Sequence, residues 1–355
     1  MTKIDLTGGC EIDIGRGLLP RCGAIIQRFE KGTRCVVVSD DNVAPLYAER
    51  VLDSLNGAGY RASLFVVPHG EASKQLNTVA EILSFFAGSK LTRYDFAVAL
   101  GGGVVGDLTG FAASVYLRGI DVVQLPTSLL AQIDSSVDGK TGCDLPEGKN
   151  LVGAFHLPRL TIIDPDALDT LPAADLRDGM GEMIKMGAVL SADLFESLER
   201  DPPFAGLDEK IALCVKKKAE LVEEDSRETG KYSPLNFGHT VGHAVEKLEH
   251  FGGIGHGVAV AIGMCVITRA AEKVELCHAG NAERIAAVCE KYGLPTDYPA
   301  DAETVAEAAM FDRKRLGNRV VLSLIRRIGD AFVCPIACDA LHELLDGCVG
   351  IENRE

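Results

Sequence analysis

The chain has 355 residues, 47% apolar and 25% charged, which is length enough for two domains with cores of their own. A net charge of −15 excludes a broad nucleic-acid-binding surface, and no apolar run reaches the roughly 18 residues of a membrane-spanning helix. The start, MTKIDLTGGCEIDIG, lacks the apolar core of a signal peptide, and the eleven cysteines are scattered without a CxxC pair, so a cytoplasmic protein with free thiols is expected.

The first half alternates short β-branched runs with helical patterns. RCVVVSD reads as a strand and NVAPLYAERVLDSL as a helix. RASLFVV is a strand before the helical KQLNTVAEILSFFAG, DFAVAL precedes GGGVVGDLTGFAASVY, and DVVQLP follows. Such alternation predicts a parallel sheet covered on both faces. From about Leu171 the period is helical, with segments near 175–200, 208–225, 236–250, 256–277 and 281–291, and VVLSLI with AFVCPI suits a small hairpin. The expected organisation is an α/β nucleotide-binding domain over 1–170, a mostly α-helical metal- and substrate-binding domain over 171–355, and a cleft between them.

After DFAVAL, Gly101, Gly103 and Gly106 fall at the GxGxxG spacing between a strand and a helix, where a dinucleotide's pyrophosphate meets free backbone N–H groups. A tight turn with no ligand gives the same pattern. The motif follows the third strand, and the acid that ends a strand is Asp40, which suits either a ribose hydroxyl or a helix N-cap. The segment 118–150 carries Arg118, Asp134, Lys140, Lys149 and Asn150. Its two Gly-Lys steps, in DGKTG and EGKN, read as loop cations beside a nucleotide fold and suggest an anionic ligand; solvated surface lysines are the alternative.

His239 and His243, in NFGHTVGHAVEK, share a helix face. HTVGH has no glutamate after its first histidine and is not the zincin motif. With His256 in GIGHG and Glu182 in DGMGEMIKMG, the set has the ligand types of a catalytic metal site; a structural histidine pair is the alternative. Cys334, Cys338 and His342 form a looser metal-like spacing.

Taken together, VSDDNVAPLY, HGEASK, GGGVVGDLTGFAA, RGIDVVQLPTSLLAQIDSSVDGKTG, EGKNLVGAFHLP, GEMIKMG, LNFGHTVGHAVE and HGVAVAIGM resemble the 3-dehydroquinate synthase family of sugar-phosphate cyclases along nearly the whole chain. The resemblance implies Glu182, His239 and His256 as ligands of Zn²⁺ or Co²⁺. It implies NAD contacts at Asp40, Asn42, Glu71, Lys74, the Gly103-Val104-Val105-Gly106-Asp107 turn, Thr127, Ser128, Lys140, Lys149, Asp169 and Thr170. It further implies a substrate site of Arg118, Asp134, Lys140, Lys149, Asn150, Lys185, Lys218, Asn236, His243 and Lys314. The family substrate is a small sugar phosphate, 3-deoxy-D-arabino-heptulosonate 7-phosphate. NAD oxidises it transiently, phosphate leaves by elimination, the hydride returns, and an aldol step closes the carbocycle. A homodimer is implied as well.

Two positions depart from the family pattern. Tyr232 stands where the family has an arginine, beside Lys231, whose point charge does not copy a bidentate fork. Val258 stands where HGE would place a glutamate. Tyr232 would suit a sibling cyclase acting on another sugar phosphate, which the KTG and GKNL motifs oppose. A metal- and NAD-dependent polyol dehydrogenase, which would release NADH, is a second alternative, and a catalytically weak chain kept as a binding or regulatory protein is a third, which retention of the family's metal ligands and most lysines opposes.

Overall fold

The computed structural model describes residues 1–351 except 7, 30, 226–232, 251, 311–314 and 317. Lys314, Lys231 and Tyr232 lie outside the described residues. The chain divides into two compact units, Met1–Leu171 with Lys218–Glu223, and Pro172–Lys217 with Glu224–Glu355.

The first unit runs β1 (Thr2–Asp5), β2 (Glu11–Ile14), α1 (Cys22–Ile26), β3 (Arg34–Asp40), α2 (Ala44–Gly57), β4 (Arg61–Val67), α3 (Leu76–Gly88), β5 (Phe96–Gly101), α4 (Gly103–Val115), β6 (Asp121–Pro126), β7 (Lys140–Leu145), β8 (Gly148–Phe155) and β9 (Leu160–Ile163). Seven strands form one sheet in the order β1-β2-β9-β6-β5-β3-β4. Only the β1–β2 pair is antiparallel. Strand alternation builds two cores. Cys35 and Val37 face α1 and α2 with Ile26, Val51 and Leu55, while Val36 and Val38 face α3 and α4 with Ile82, Phe86 and Leu108. The chain order reverses where β3 lies between β4 and β5, and the carboxyl ends of β3 and β5 are Asp40 and Gly101. In open parallel sheets ligands bind at such a reversal.

In the second unit come α5 (Ala173–Leu190), α6 (Ala192–Arg200), α7 (Leu207–Glu224, whose residues Lys218–Glu223 group with the first unit), α8 (His239–Leu248), α9 (His256–Lys273), α10 (Asn281–Lys291), α11 (Ala302–Ala309), β10 (Arg315–Leu316), β11 (Arg319–Arg327), β12 (Asp330–Ala337) and α12 (Ala340–Leu345). The helix expected over 175–200 is broken at Ser191. Its backbone is extended, and its hydroxyl accepts from Leu194 N–H to start α6. The terminal hairpin is present as β11–β12, with β10 on its edge. No helix among the described residues is long and apolar enough to cross a membrane. The eleven cysteines are free thiols, all buried except the half-buried Cys334 and Cys338.

One sequence reading is corrected. Lys140 and Lys149 are not loop residues: Lys140 opens β7 and Lys149 is the second residue of β8. The turn at Pro146-Glu147 folds the stretch into an antiparallel ribbon, with Thr141 opposite Ala154 and Gly142 opposite Gly153. Both glycines are forced by this pairing, since a Cβ on Gly153 would lie 2.1 Å from the Thr141 carbonyl.

Candidate active site

Most of the first unit's predicted residues gather at the carboxyl ends of its parallel strands. Asp40 Oδ1 accepts from the backbone N–H of Asn42 and Val43, both at 2.9 Å, so its carboxylate orders the turn into α2. Asn42 itself is exposed. The glycine loop forms the β5–α4 junction as read, with Gly102 at the N-cap and Gly106 N–H bonded to the Gly102 carbonyl. A Cβ on Gly102 would sit 3.4 Å from Ser128 Oγ, and one on Gly103 3.3 Å from Ser135 Oγ. Val104 and Val105 belong to the first turn of α4 and Asp107 opens its second, with Val105 packed into the core. Thr127 N–H donates to the Gly101 carbonyl, holding the next strand end against the loop. Asp169 and Thr170 are exposed at the end of a 3₁₀ turn that follows β9, where Thr170 Oγ1 lies 2.6 Å from the Tyr47 hydroxyl.

Charges in this unit are paired with care. The buried Lys74 ammonium lies 2.5 Å from Asp107 Oδ2, and Lys149 Nζ lies 3.5 Å from Glu71 Oε1. Burial works against the Lys74 charge, but Asp107, Glu71 and Asp144 outweigh it and raise its pKa. Burial pushes the Asp107 carboxyl up to about 6, even though Lys74 opposes the shift. Lys218 is wholly buried and reaches Asp134 Oδ1 at 2.8 Å and Asp138 Oδ2 at 2.7 Å. Lys140 Nζ lies 3.1 Å from the same Asp138 oxygen. Asp134 belongs to a π-helical turn, Ala131–Ser135, a wide turn often found at functional sites. Asn150 has φ +52 and donates its N–H to Asp144 at 2.6 Å. Arg118 is exposed, in a left-handed run with Leu117 and Gly119 at φ +71, +50 and +116 respectively. Such consecutive strained residues are concentrated at functional loops.

In the second unit, Glu182, His239 and His256 bring one ligand atom each within 4.8 Å of the others. Glycines at helix crossings make this approach. A Cβ on Gly181 would fall 2.0 Å from the Gly257 carbonyl, and one on Gly263 2.0 Å from the Gly238 carbonyl. Each ligand candidate therefore neighbours a glycine at which two backbones touch: Gly181 before Glu182, Gly238 before His239, Gly257 after His256. His256 Nε2 and His239 Nε2 lie 3.6 and 3.9 Å from Glu182 Oε1. Lys185 pairs with the other Glu182 oxygen. Glu182 is wholly buried, and neither oxygen accepts a hydrogen bond among the described residues. His239 Nδ1 lies 3.2 Å from the Phe237 carbonyl, which only accepts, so its N–H sits there and Nε2 presents a lone pair. His243 stacks edge-on with His239, ring centres 5.3 Å apart. Asn236 is half-buried at the end of a 3₁₀ turn.

Three acids were not singled out from the sequence. Asp138 joins Lys140 to Lys218. Asp178 accepts from Val258 N–H at 2.9 Å and so anchors the start of α9. Glu246 lies 3.4 Å from His256 Nδ1. The signal for Glu246 was present, at i+7 from His239 on one helix face. Among the described residues Cys334, Cys338 and His342 form no metal-like cluster.

The profile of the 3-dehydroquinate synthase N-terminal region matches residues 64–178, and that of the C-terminal region matches 179–315. A 3-dehydroquinate synthase of Streptococcus suis (strain 05ZYH33) is 42% identical over 341 residues, 94% of this chain and 96% of the relative. The crystal structure of 2-deoxy-scyllo-inosose synthase complexed with carbaglucose-6-phosphate, NAD+ and Co2+ superposes with TM-score 0.86 at 24% identity, over 98% of this chain and 100% of that one, and bears on the fold alone. The 2-epi-5-epi-valiolone synthase from Streptomyces hygroscopicus subsp. jinggangensis 5008 with NAD+ and Zn2+ bound gives 0.82 at 26% identity, over 97% of both chains. With both profiles matched in sequence order and a relative at this identity over nearly its full length, the chain belongs to the 3-dehydroquinate synthase family and is an enzyme of it, a cyclase.

Proposed function

We propose that the chain converts 3-deoxy-D-arabino-heptulosonate 7-phosphate to 3-dehydroquinate and phosphate, in the shikimate pathway, with NAD held by the first unit and a divalent metal ion, Zn²⁺ or Co²⁺, by the second. Cytoplasmic location and a homodimer belong to the same reading. The observation that carries it is the Glu182–His239–His256 cluster. The buried Glu182 carboxylate pairs with Lys185 through one oxygen and turns the other toward two imidazoles, and a divalent cation matches that N/O donor set. The glycine-lined start of α4 fits a dinucleotide phosphate, since a side chain on Gly102 or Gly103 would occupy the space against Ser128 and Ser135.

When bound, NAD supplies a reversible hydride acceptor and the metal a Lewis acid for substrate hydroxyls. The chain's own side chains do the rest. Lys140 and Lys218, both tied to Asp138, present fixed positive charge to the substrate's carboxylate and phosphate and to charge that develops as phosphate departs. The same reading assigns further substrate contacts to Lys149, Asn150 and Arg118 of the first unit and to Lys185, Asn236 and Lys314 of the second. Lys74, locked to Asp107, fixes the turn that faces the dinucleotide. His243 holds or passes a proton at a ring nitrogen beside His239.

The test is phosphate release from the heptulosonate 7-phosphate with catalytic NAD⁺, with and without chelator, while absorbance is followed for NADH. Release that requires NAD⁺ and metal, accumulates no NADH and yields dehydroquinate is expected. Metal and NAD⁺ binding without release would shift the substrate to another sugar phosphate, in keeping with Tyr232. Stoichiometric NADH would make the chain a dehydrogenase.

A further inference from the structure

We infer that Glu246 is a positioning residue that sets the ring orientation and tautomer of His256; this rests on the metal reading above. His256 lies between two carboxylates. Its Nε2 is 3.6 Å from Glu182 Oε1, and its Nδ1 is 3.4 Å from Glu246 Oε2. A neutral imidazole carries one N–H, and a carboxylate only accepts. With the N–H at Nδ1, Glu246 is satisfied and the Nε2 lone pair points to the Glu182 side. The opposite tautomer would set a lone pair against the buried Glu246 carboxylate and leave Nε2 protonated, unable to bind a metal. Glu246 is buried on α8, seven residues after His239. One helix thus orients two ligands, His239 directly and His256 through Glu246.

His243, Glu246 and His256 also form a cluster whose ligand atoms lie within 4.8 Å of one another. The rival assignment makes Glu246 a ligand in its own right. Two observations favour positioning. The carboxylate oxygen that both His239 Nε2 and His256 Nε2 approach belongs to Glu182, whereas Glu246 meets His256 at Nδ1 and has polar contacts beyond those described above. And one nitrogen of His256 must hold a proton if the other holds a metal.

The test is metal affinity, measured on chelator-stripped full-length chain by Co²⁺ titration against a competing chelator, with the Co²⁺ visible spectrum recorded at saturation. The chain as it stands is compared with Glu246→Gln, Glu246→Ala and His239→Ala. Positioning predicts that Glu246→Ala weakens Co²⁺ binding about 10- to 100-fold, the usual range for partners of ligating histidines. Glu246→Gln, whose amide oxygen still accepts from Nδ1–H, should lose well under tenfold and keep the parent spectrum. This second variant carries the test if Glu246→Ala does not fold. Parent-like affinity in Glu246→Ala overturns the inference. So does a Glu246→Gln Co²⁺ spectrum that departs from the parent's, or loss of Co²⁺ binding in Glu246→Gln as complete as in His239→Ala, either of which would make the carboxylate itself a ligand. If the unaltered chain takes up no Co²⁺ at all, the metal reading falls, and the inference with it.

Discussion

Lys218 and Glu182 are both wholly buried, and their surroundings could hardly differ more. Lys218 lies against Asp134 and Asp138, each within 2.8 Å. Glu182 meets the Lys185 ammonium at one oxygen and two imidazoles at the other. The first centre neutralises itself: its cations are held in place by the chain's own acids before any anion arrives, which is how preorganised charge stabilises a developing anion. In the second, Lys185 balances the Glu182 charge, and two imidazoles turned to the other carboxylate oxygen give the N/O donor set that suits a metal. Substitutions should therefore act differently at the two.

The largest effect is expected at the second centre. His239→Ala removes one of the three proposed ligands, so on that reading metal content should drop to background and turnover should fall by more than the roughly 100-fold that loss of an outer partner causes. NAD affinity should stay within about twofold, because the proposed dinucleotide contacts all belong to the first unit. Metal analysis, phosphate-release kinetics and NAD titration check this. Unchanged metal content with unchanged activity would remove the distinction between the two centres.

At the self-neutralised centre the loss should be of stability. Lys218→Ala leaves Asp134 and Asp138 facing each other without their buried cation. Breaking a buried pair from one side costs roughly 3–5 kcal/mol. Denaturant unfolding should show that loss, whereas Asp138→Asn, which keeps an acceptor for both lysines, should cost less and raise KM for substrate. A Lys218→Ala chain within about 1 kcal/mol of the parent would mean the pairing carries little.

These two centres were unequally legible. The parallel sheet was readable because short, mostly apolar runs such as RCVVVSD and FAVALG are each followed by a helical period. The Glu182–His239–His256 cluster was readable because two histidines four apart, a third after GIG and glycines beside each candidate are unusual in helices. The β1–β2 pair was not, since four-residue strands carry too little pattern to separate from loop. Asp138 was not, because its meaning depends on a lysine 80 positions later on another helix, and charge pairing at such separation leaves no local period. The β7–β8 ribbon was missed because its glycines read as loop, when in fact they permit two strands to touch.

Asp107 offers a smaller, pH-dependent contrast. Its folded pKa of about 6 exceeds its usual 3.8. The fold thus holds a proton that the unfolded chain has released, so this group's contribution is full below about pH 4 and is lost as pH rises through about 6. Asparagine has no such titration. The stability of Asp107→Asn relative to the parent should therefore improve by about 1–3 kcal/mol between pH 4 and 7. Lys74 stays charged throughout, so its lost partner offsets the whole curve and leaves the slope. A flat difference in paired denaturation curves would place the proton elsewhere.

The smallest expected effect decides between two roles for Asp40. Its carboxylate accepts from Asn42 and Val43 N–H through Oδ1 alone. If ordering this turn is its whole work, Asp40→Asn keeps the acceptor and changes stability by only a few tenths of a kcal/mol, Asp40→Ala costs about 1 kcal/mol, and NAD affinity is unaltered in Asp40→Asn. If the second oxygen also accepts from a ribose hydroxyl, Asp40→Asn keeps its stability and still loses NAD affinity, because the amide that replaces that oxygen is a donor and the bond to a charged acceptor is worth roughly 1.5–3 kcal/mol. We expect the second result. The strand end sits where the sheet order reverses, and the turn's own hydrogen bonds occupy one oxygen of the two. Thermal melts and NAD titrations on the same two variants separate the outcomes, since only a ligand contact lets affinity fall while stability holds.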